Sequence, residues 1–284
     1  MTAARALIRR LVRERAGLSL DDEKWYLVED RLAPIMRSAH LTMNELAQAV
    51  TCDPGGDLAR TVTETLTINE TSFFRDRGLF AAFAETVLPS LVAARAEQRR
   101  LRIWCAGCST GQEPYSLAMV LDEQARKLAG WQVEILATDL SRAVIDSARR
   151  GLYSQFEVQR GVPVALLLRY FRREGELWRI NDHLRAKVAY RTHNLVAGAR
   201  DLGSFDAIFC RNVLIYFDVP TKQRVLESLR GSLADDGYLA LGAAEAVGGL
   251  CEHLAAVPGQ RFLFRKSAGP EPRGRALRLV HASA

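Results

Sequence analysis

The sequence predicts an α/β fold: a doubly wound, mostly parallel sheet with an all-helical N-terminal domain and a small antiparallel β insertion. Three observations support this. Up to about residue 68, apolar residues recur only at helical spacing. From Leu101 onward, short apolar strands alternate with helices, which is typical of parallel sheets with right-handed crossovers. The 284 residues, 48% of them hydrophobic, suffice for one large domain with a smaller companion.

Residues 1–68, predicted to form a separate domain, contain four predicted helices. Ser19 with Asp22 and Thr42 with Glu45 resemble capping boxes, which predict the starts of the second and third helices. Proline interrupts the backbone hydrogen bonds of a helix, so we expect the proline of the second helix, at position 34, to bend or end it.

Residues 69–98 are predicted to be a linker and a long helix, roughly 79–97, which lead into a sheet domain at 99–266. The predicted strands are LRIWC, VEILATD, one near KVAYRTHN, FDAIFC, GYLALG and RFLFRK, with helices near 114–127, 142–150 and 221–233. The segment at about 155–190 breaks this rhythm and predicts an inserted helix and hairpin that turns at Glu174-Gly175.

The net charge of +6 is concentrated at the ends of the chain. Residues 1–20 carry five Arg against one Glu, and residues 261–284 carry five Arg and one Lys against one Glu. Proteins that bind nucleic acid usually carry their basic residues on the folded body, so we expect no nucleic-acid partner. The basic tail at 267–284 is predicted to be disordered, which leaves the first helix as the better candidate for an acidic protein partner.

Composition also indicates the cellular location. No window approaches the roughly 18 apolar residues of a membrane span, and the N-terminus lacks the apolar segment of a secretory signal. Its Arg-rich start leaves a transit peptide open, although an amphipathic helix explains it better. Five cysteines, an odd number, indicate a reducing compartment. We therefore expect a cytoplasmic protein without membrane insertion.

The stretch IWCAGCSTGQEPY places Gly107 and Gly111 in the first strand-to-helix turn, where a doubly wound sheet binds a nucleotide-like cofactor. Glu113 follows at the helix start, where it would repel a pyrophosphate but accept hydrogen bonds from an ammonium group. S-adenosylmethionine has a sulfonium, an α-amino group and no phosphate, so it suits this turn better than NAD. Glu113 alone leaves an equal alternative, a simple complement to the helix dipole.

A second acid strengthens the cofactor interpretation. Asp139 ends the strand VEILATD, where a carboxylate can bind both hydroxyls of a ribose. It lies 28 residues after Gly111, more than the interval of roughly 20 usual in dinucleotide folds, but the intervening helix is correspondingly long. Together, the glycine turn and Asp139 predict an adenosine-cofactor site.

The same stretch also has the Cys-x-x-Cys spacing of a redox or zinc motif, at Cys105 and Cys108. No second Cys or His pair has matching spacing, and the other three cysteines are scattered. We interpret Cys105 as a buried strand residue and Cys108 as a loop residue, with a reactive dithiol as the weaker alternative.

Four segments together resemble the CheR-type chemoreceptor glutamate methyltransferases. They are TINETSFFRD (67–76), WCAGCSTGQEPYS (104–116), ILATDLS (135–141) and FDAIFCRNVLIYFD (205–218), and their order and spacing match over roughly residues 18–266. The resemblance implies a class I S-adenosylmethionine-dependent methyltransferase fold. It also implies methyl transfer to glutamate side chains of methyl-accepting chemotaxis proteins, with S-adenosylhomocysteine as the other product.

The resemblance further implies the residues of the site, with no metal. Glu113 would bind the amino end of S-adenosylmethionine and Asp139 its ribose. The other residues that would contact the cofactor are Asn69, Thr71 and Arg75 in a linker that closes over it, Asn194 and Leu195 beside the adenosine, and Arg211 and Asn212.

Two residues, Arg75 and Tyr216, would lie nearest the transferred methyl and would be catalytic. Simpler interpretations exist for the linker and loop residues. They are helix caps for Asn69 and Thr71, a core position for Tyr216, and a surface ion pair of Arg75 with Asp76.

The resemblance implies a partner as well, an acidic helical cytoplasmic domain of chemoreceptors that a basic helix of the N-terminal domain would recognise. Here Lys24 and Arg31 share one edge of the second helix and Arg37 lies elsewhere, a thinner basic pattern than in enteric relatives. The hairpin loop at 172–176 is shorter than in relatives that bind a receptor C-terminal pentapeptide. We therefore expect a monomeric enzyme that does not depend on the pentapeptide.

Three other functions share parts of this pattern. A nucleic-acid methyltransferase would have the same cofactor fold, but amino methylation usually shows Asn/Asp-Pro-Pro-Tyr/Phe where this chain has RNVLIYF. A regulatory module would bind S-adenosylmethionine without passing on its methyl. An oxidoreductase that uses Cys105 and Cys108 is the weakest alternative.

Overall fold

The computed structural model describes residues 2–23 and 25–267, and its N-terminal part is helical, as predicted. The helices are α1 (Ala3–Ala16), α2 (Trp25–Ala39), α3 (Met43–Cys52) and α4 (Asp57–Thr65). The capping box of α3 is confirmed, because the Thr42 side chain accepts from the Glu45 N–H and the Glu45 carboxylate accepts from the Thr42 N–H. Apart from Ser267, the predicted disordered tail lies outside the described residues.

The predicted start of α2 at Ser19 is wrong. Helix α1 ends at Gly17 in the left-handed region, and Leu18 then forms an isolated bridge with Phe217. The chain is therefore not helical at Ser19, and α2 begins only at Trp25.

The proline at position 34 does not end α2, which continues to Ala39. Leu32 before the proline, and Ile35 and Met36 after it, belong to one apolar cluster. Tertiary packing on both sides of the proline thus outweighs the hydrogen bond that its ring removes.

A continuous helical run, 77–94, leads from the linker to the sheet. It consists of α5 (Arg77–Ala82), a π-helical turn (Phe83–Val87) and α6 (Leu88–Ala94), which matches the long helix predicted at 79–97. Among the described residues this one run is long and apolar enough to meet the criterion for a membrane span, a test that core helices also pass. Its buried side chains, among them Leu79, Phe83 and Leu91, pack against the sheet.

The strands confirm the predicted α/β fold. In chain order they are β1 (Arg100–Ala106), β2 (Gln132–Asp139), β3 (Leu152–Tyr153), β4 (Phe171–Glu174), β5 (Leu177–Ile180), β6 (Val188–Thr192), β7 (Phe205–Cys210), β8 (Leu233–Leu241), β9 (Leu254–Ala256) and β10 (Leu263–Lys266). The main sheet has the order β6-β2-β1-β7-β8-β10-β9, parallel from β6 to β8 and antiparallel at β10 and β9. The strand order reverses between β1 and β7, which is where doubly wound sheets bind ligands.

Helices fill the connections between these strands. They are α7 (Gln112–Glu123), α8 (Arg142–Arg150), α9 (Gln155–Gln159), α10 (Val164–Tyr170), α11 (Asp182–Arg185) and α12 (Val219–Ser232). The bounds of α8 are those predicted, and α7 and α12 each overlap their predicted helix.

The insertion between α8 and β6 contains the predicted hairpin, β4 and β5, with Gly175 at φ 61° in its turn. Strand β3 pairs with β5 and completes a small antiparallel sheet, as the fold prediction required. The sequence did not indicate β3 itself, because two residues are too few to show a strand pattern.

Two apolar clusters cover the two faces of the main sheet. One contains side chains of α1 to α4 and α12 with Trp104 and Ile208, and the other contains the run 77–94, α7 and the insertion with Cys105 and Phe209. Successive residues of β1 and β7 thus point to opposite faces, as strand geometry requires. The N-terminal helices share their core with the sheet, and the domain boundary at residue 68 stays a prediction.

Candidate functional site

One cavity lies beyond the carboxyl ends of β1, β2 and β7, at the point where the strand order reverses. Together with the space that is open to solvent, it measures about 910 Å³. All ten predicted cofactor-binding and catalytic residues line it: Asn69, Thr71, Arg75, Glu113, Asp139, Asn194, Leu195, Arg211, Asn212 and Tyr216. The fold therefore brings the linker, the glycine turn and the loop after β7 to one place.

The glycine turn after β1 requires its two glycines for different contacts. Gly107 and Gly111 have φ of 79° and 95°, in the left-handed region that favours glycine. A Cβ at Gly107, which lines the cavity, would lie 2.5 Å from Val213 Cγ2. A Cβ at Gly111, the N-cap of α7, would lie 3.1 Å from Tyr153 Oη in the insertion. The absence of a side chain at Gly107 thus lets the loop after β7 pack closely, and the absence of one at Gly111 lets the insertion pack closely.

Glu113 lies in the first turn of α7 and is buried. Arg211 Nη1 donates to Glu113 Oε2 over 2.8 Å. Burial raises the pKa of the Glu113 carboxyl, and the Arg211 guanidinium opposes this effect. A carboxylate can accept about four hydrogen bonds, so Glu113 keeps acceptor capacity for a cationic amino group in the cavity.

Asp139 is the last residue of β2 and is also buried. Its Oδ2 accepts from the Ser109 N–H over 2.9 Å, and its Oδ1 accepts from the Ser141 N–H over 3.0 Å. Burial raises the pKa of the Asp139 carboxyl, against the effect of these backbone donors. The backbone N–H groups, among them that of Leu140, fix the carboxylate, and its remaining acceptor capacity can serve a ribose hydroxyl.

Arg211 connects the linker to helix α7. Its side chain is 2% exposed and pairs with Glu113 of α7 and with Asp76 at the end of the linker. Its Nη2 also donates to the Arg75 carbonyl over 2.8 Å. Within the part of the chain that the structure describes, the buried Nε of Arg211 has no hydrogen-bond partner. One donor of this guanidinium, which lines the cavity, is therefore left unsatisfied.

The linker is held over the cavity by the glycine turn and by the insertion. Ser109 Oγ donates to the Asn69 carbonyl over 2.7 Å. The Phe73 ring meets the Tyr153 ring edge-on at 4.8 Å. A Cβ at Gly161 would lie 1.9 Å from the Phe73 carbonyl oxygen, so the insertion can approach the linker only with glycine at this position. Asn69 therefore lies in a segment that forms neither helix nor strand, and it is not an N-cap, contrary to the simpler interpretation, because α5 has Asp76 as its N-cap.

Thr71 lies in the same segment and is not the N-cap of α5 either. The side chain of Asn194, by contrast, already forms two hydrogen bonds. Asn194 Oδ1 accepts from the Val196 N–H over 3.1 Å, and its Nδ2 donates to the Arg15 carbonyl over 2.5 Å. Asn194 thus fixes the short helical turn that begins at Leu195, and both residues form one wall of the cavity.

Arg75 and Tyr216 face the cavity from its linker side and from the loop after β7. The simpler alternative for Arg75, a surface pair with Asp76, is wrong, since Asp76 pairs with Arg211. Arg75 Nη1 donates to the Glu70 carbonyl over 3.2 Å, and the guanidinium forms no ion pair with any residue that the structure describes.

The Tyr216 ring is half-buried and packs against the cluster that contains α1 to α4. Burial raises the pKa of its phenol, which therefore stays neutral at pH 7 and can donate a hydrogen bond. Among the described residues the hydroxyl has no hydrogen-bond partner, so it can donate a hydrogen bond to a substrate.

Sequence reasoning missed several lining residues: Ala16, Leu18, Ile68, Glu70, Ser109, Leu140, His193, Val213 and Phe217. His193 is the most informative, because its buried Nε2 has no partner among the described residues. A signal for it existed in its position directly before Asn194, at the end of a predicted strand. Ala16 and Leu18 gave no signal, since only tertiary packing brings the end of α1 to the cavity.

Cys105 and Cys108 are buried and form no disulfide. Burial raises the pKa of both thiols well above the ordinary value. Since the thiolate is the reactive form, the structure disfavours a dithiol centre. The described residues contain no group of His, Cys, Asp and Glu that could hold a metal ion.

The donor set of the cavity suits S-adenosylmethionine. Glu113 and Asp139 can accept hydrogen bonds from an amino group and from ribose hydroxyls, and Leu140 and Leu195 supply apolar surface beside Asp139 for a base. A pyrophosphate would bring its charge against two buried carboxylates, which is unfavourable. The fold and this donor set define the class of the protein, an S-adenosylmethionine-dependent methyltransferase.

Comparison with known proteins gives the family. The family model described as CheR methyltransferase, SAM binding domain, matches residues 69–263. The chain is 40% identical over 265 residues to chemotaxis protein methyltransferase 1 of Pseudomonas aeruginosa, covering 90% of this chain and 96% of that protein. It is 36% identical over 252 residues to chemotaxis protein methyltransferase 1 of Vibrio cholerae, covering 87% and 90%. The chain therefore belongs to the CheR methyltransferase family, uses S-adenosylmethionine as its cofactor and catalyses methylation in chemotaxis, which confirms the resemblance of the four segments.

Proposed function

We propose that this enzyme methylates glutamate side chains of chemoreceptors, forming glutamate 5-O-methyl esters and S-adenosylhomocysteine. The main support is the position of Arg75 and Tyr216, two donors on the wall of the cavity that also contains Glu113 and Asp139. Arg75 interacts electrostatically with Glu70 and Glu113 but forms no ion pair with a described carboxylate, and an acidic substrate side chain would supply one. The names of its relatives, chemotaxis protein methyltransferases, fit this substrate.

The chemistry requires little of the protein beyond placement. A glutamate side chain with a pKa near about 4.3 is ionised at neutral pH, so no general base is needed. When bound, S-adenosylmethionine supplies an electrophilic methyl group. Arg75 would bind one oxygen of the substrate carboxylate, and the Tyr216 hydroxyl would orient the reacting groups. Such orientation can contribute roughly 7–11 kcal/mol.

In the same proposal, the cofactor is held by residues of several segments around the cavity. Glu113 binds the amino end and Asp139 the ribose hydroxyls. Arg211 supports Glu113 through its Nη1. The other contacts are with Asn69, Thr71 and Arg75 in the linker, Asn194 and Leu195 at the adenosine, and Asn212.

The partner in this proposal is an acidic, helical cytoplasmic domain of a chemoreceptor, which a monomer of this protein would meet in the cytoplasm. Arg31 of α2 is exposed and donates to the Thr67 carbonyl over 3.1 Å, close enough to Tyr216 to affect its phenol electrostatically. The N-terminal helices thus place one basic side chain beside Thr67, which lines the cavity. Lys24, its expected neighbour on this edge, lies outside the described residues.

We also propose that the enzyme works without a receptor pentapeptide. The hairpin of β4 and β5 turns through Gly175 and Glu176 alone, which leaves a short loop for peptide contacts. Titration of the isolated protein with a receptor C-terminal pentapeptide should show no binding in the micromolar range. Micromolar affinity would contradict this part of the proposal.

The decisive test of the function uses the protein, S-adenosylmethionine with a radiolabelled methyl group, and membranes that contain chemoreceptors. We expect label on the receptor that leaves as methanol in alkali, as carboxyl methyl esters do. Receptors whose methylation-site glutamates are changed to alanine serve as the matched control. Alkali-stable label, or label on those control receptors, would contradict glutamate methylation.

Two added arms separate the rival functions. Label that appears on RNA or DNA in the same mixture would indicate a nucleic-acid methyltransferase. Tight binding of S-adenosylmethionine without label on any receptor would indicate a regulatory module.

A further inference from the structure

Glu245, which the sequence analysis did not single out, lies just beyond the carboxyl end of β8. Its carboxylate accepts four backbone N–H groups. Oε2 accepts from Asn212 over 2.9 Å and from Gly242 over 2.7 Å. Oε1 accepts from Val213 over 2.9 Å and from Leu214 over 2.7 Å. One side chain thus binds three consecutive N–H groups of the loop after β7 and one of the turn after β8.

Successive N–H groups that converge in this way form a concave anion site, and here the anion belongs to the protein itself. Only a carboxylate satisfies all four donors. Glutamine would offer one acceptor oxygen and would direct its NH₂ group at two of the N–H groups, leaving them unpaired. The close approach also depends on Gly242, since a Cβ there would lie 2.8 Å from Glu245 Oε2 and 2.9 Å from Asn212 Nδ2.

The loop that Glu245 binds carries much of the cavity wall. Arg211 begins it and holds Glu113, Asn212 lines the cavity, and Tyr216 ends the helical turn that follows. Asn212 has φ of 57°, a left-handed conformation that a non-glycine residue adopts only when its surroundings enforce it. The hydrogen bond from the Asn212 N–H to Glu245 is one contact that favours this conformation.

We propose that Glu245 is a positioning residue for the cofactor: it fixes residues 211–216 in the conformation that binds S-adenosylmethionine, without touching the ligand. Glu245 is absent from the residues that line the cavity. The inference rests on the assigned cofactor and not on the methyl acceptor. Binding of S-adenosylhomocysteine, which requires no acceptor, therefore tests it separately from the proposed receptor substrate.

The test compares Glu245→Gln with Asp206→Asn. Asp206 is the matched control, because its buried carboxylate also accepts a backbone N–H, that of Arg102 over 2.8 Å, but at the opposite end of β7. Affinity for S-adenosylhomocysteine is measured by calorimetry and Tm by thermal unfolding. We expect Glu245→Gln to weaken binding at least tenfold and Asp206→Asn to change it less than twofold, at a similar loss of Tm. Binding by folded Glu245→Gln within twofold of wild type would overturn the proposal, as would equal weakening by both variants.

A second variant tests the positioning role of Glu245 if Glu245→Gln does not fold. Glu245→Ala leaves the four N–H groups with space for a small anion, so added formate should restore affinity for S-adenosylhomocysteine at least threefold. Chloride at the same ionic strength is the control. Restoration by formate but not by chloride would support the positioning role, and failure of both to restore binding in the folded variant would overturn it.

Discussion

The two ends of β7 both carry buried charge, but they use it differently. At the amino end, Asp206 accepts from Arg95 Nε over 2.9 Å and from the Arg102 N–H over 2.8 Å. At the carboxyl end, Arg211 binds the carboxylates of Glu113 and Asp76. Both are ion-pair networks between segments distant in the chain, and burial or composition alone would not distinguish them.

The difference lies in what remains unsatisfied. Arg95 also binds Asp236 and Arg102 also binds Glu134, so the groups at the amino end saturate one another. At the carboxyl end the Arg211 Nε has no partner among the described residues, and Glu113 lines a cavity. Since native proteins leave few buried polar groups unpaired, residual capacity beside a cavity indicates ligand binding. A saturated network indicates a structural role.

The strongest test of this contrast compares Arg211→Ala with Arg95→Ala. Removal of Arg211 leaves Glu113 buried without its cation, which should destabilise the protein by about 3–5 kcal/mol. It should also abolish measurable binding of S-adenosylhomocysteine in calorimetry. Arg95→Ala should lower the Tm but leave affinity within twofold. Loss of binding in folded Arg95→Ala would erase the contrast between the two ends.

The next largest effect concerns the reaction. Arg75→Ala should lower kcat/KM for receptor methylation about 100-fold, since one oriented cationic donor is lost. Tyr216→Phe should lower it about tenfold, because its hydroxyl contributes orientation alone. Steady-state label transfer measures both, with the exposed Arg77→Ala as the control that should retain full activity. If Arg75→Ala and Tyr216→Phe both keep wild-type rates, the assignment of catalytic residues is wrong.

A smaller effect is expected at β2, which carries an acid near each end. Asp139→Asn places an amide NH₂ against the Ser109 or Ser141 N–H and should weaken S-adenosylhomocysteine binding about tenfold. Glu134→Gln, near the amino end, disturbs the partly exposed pair with Arg102 and should leave affinity unchanged. Calorimetry distinguishes the outcomes, and equal affinities of both variants would contradict the ribose role of Asp139.

The smallest effect is a pH dependence of stability. Burial lowers the pKa of His193 below its ordinary value of 6.5. Below pH 6.5 the unfolded chain binds a proton that folded His193 does not, so stability present above this pH is lost as the pH falls. The Tm of wild type should therefore fall about 1–3 °C more than that of His193→Gln between pH 7 and pH 5. His253→Gln, at an exposed position, is the control. Parallel curves of Tm against pH for wild type and His193→Gln would show that His193 does not cause this pH dependence.

Much of the site could be predicted because its signals are local. Glu113 follows the glycine turn by two residues and Asp139 ends an apolar strand, so each position is defined by a few neighbours in the chain. The resemblance added Arg75 and Tyr216, whose segments have no local pattern that requires a cavity. Glu245 was not predicted, because its partners are main-chain N–H groups, such as those of Asn212 and Gly242. Every residue except proline has such a group, so the residue types do not indicate which of them donate to a carboxylate.

The N-terminal helices show the same limit. The capping box at Thr42 was predictable, since it depends on residues three apart. The start of α2 was not, because the residue that bridges to Leu18 is Phe217, 199 positions further along the chain.

By itself, the sequence determined the alternation of strands and helices, the glycine turn and the acids beside it, since periodicity and turn chemistry act within a few residues. The tertiary structure alone decided that Arg211 pairs with Glu113, 98 residues away, and that the loop after β7 closes around Glu245. The physical reason is that buried charges must find partners in space, and the chain order does not say which groups the packed sheet will bring together.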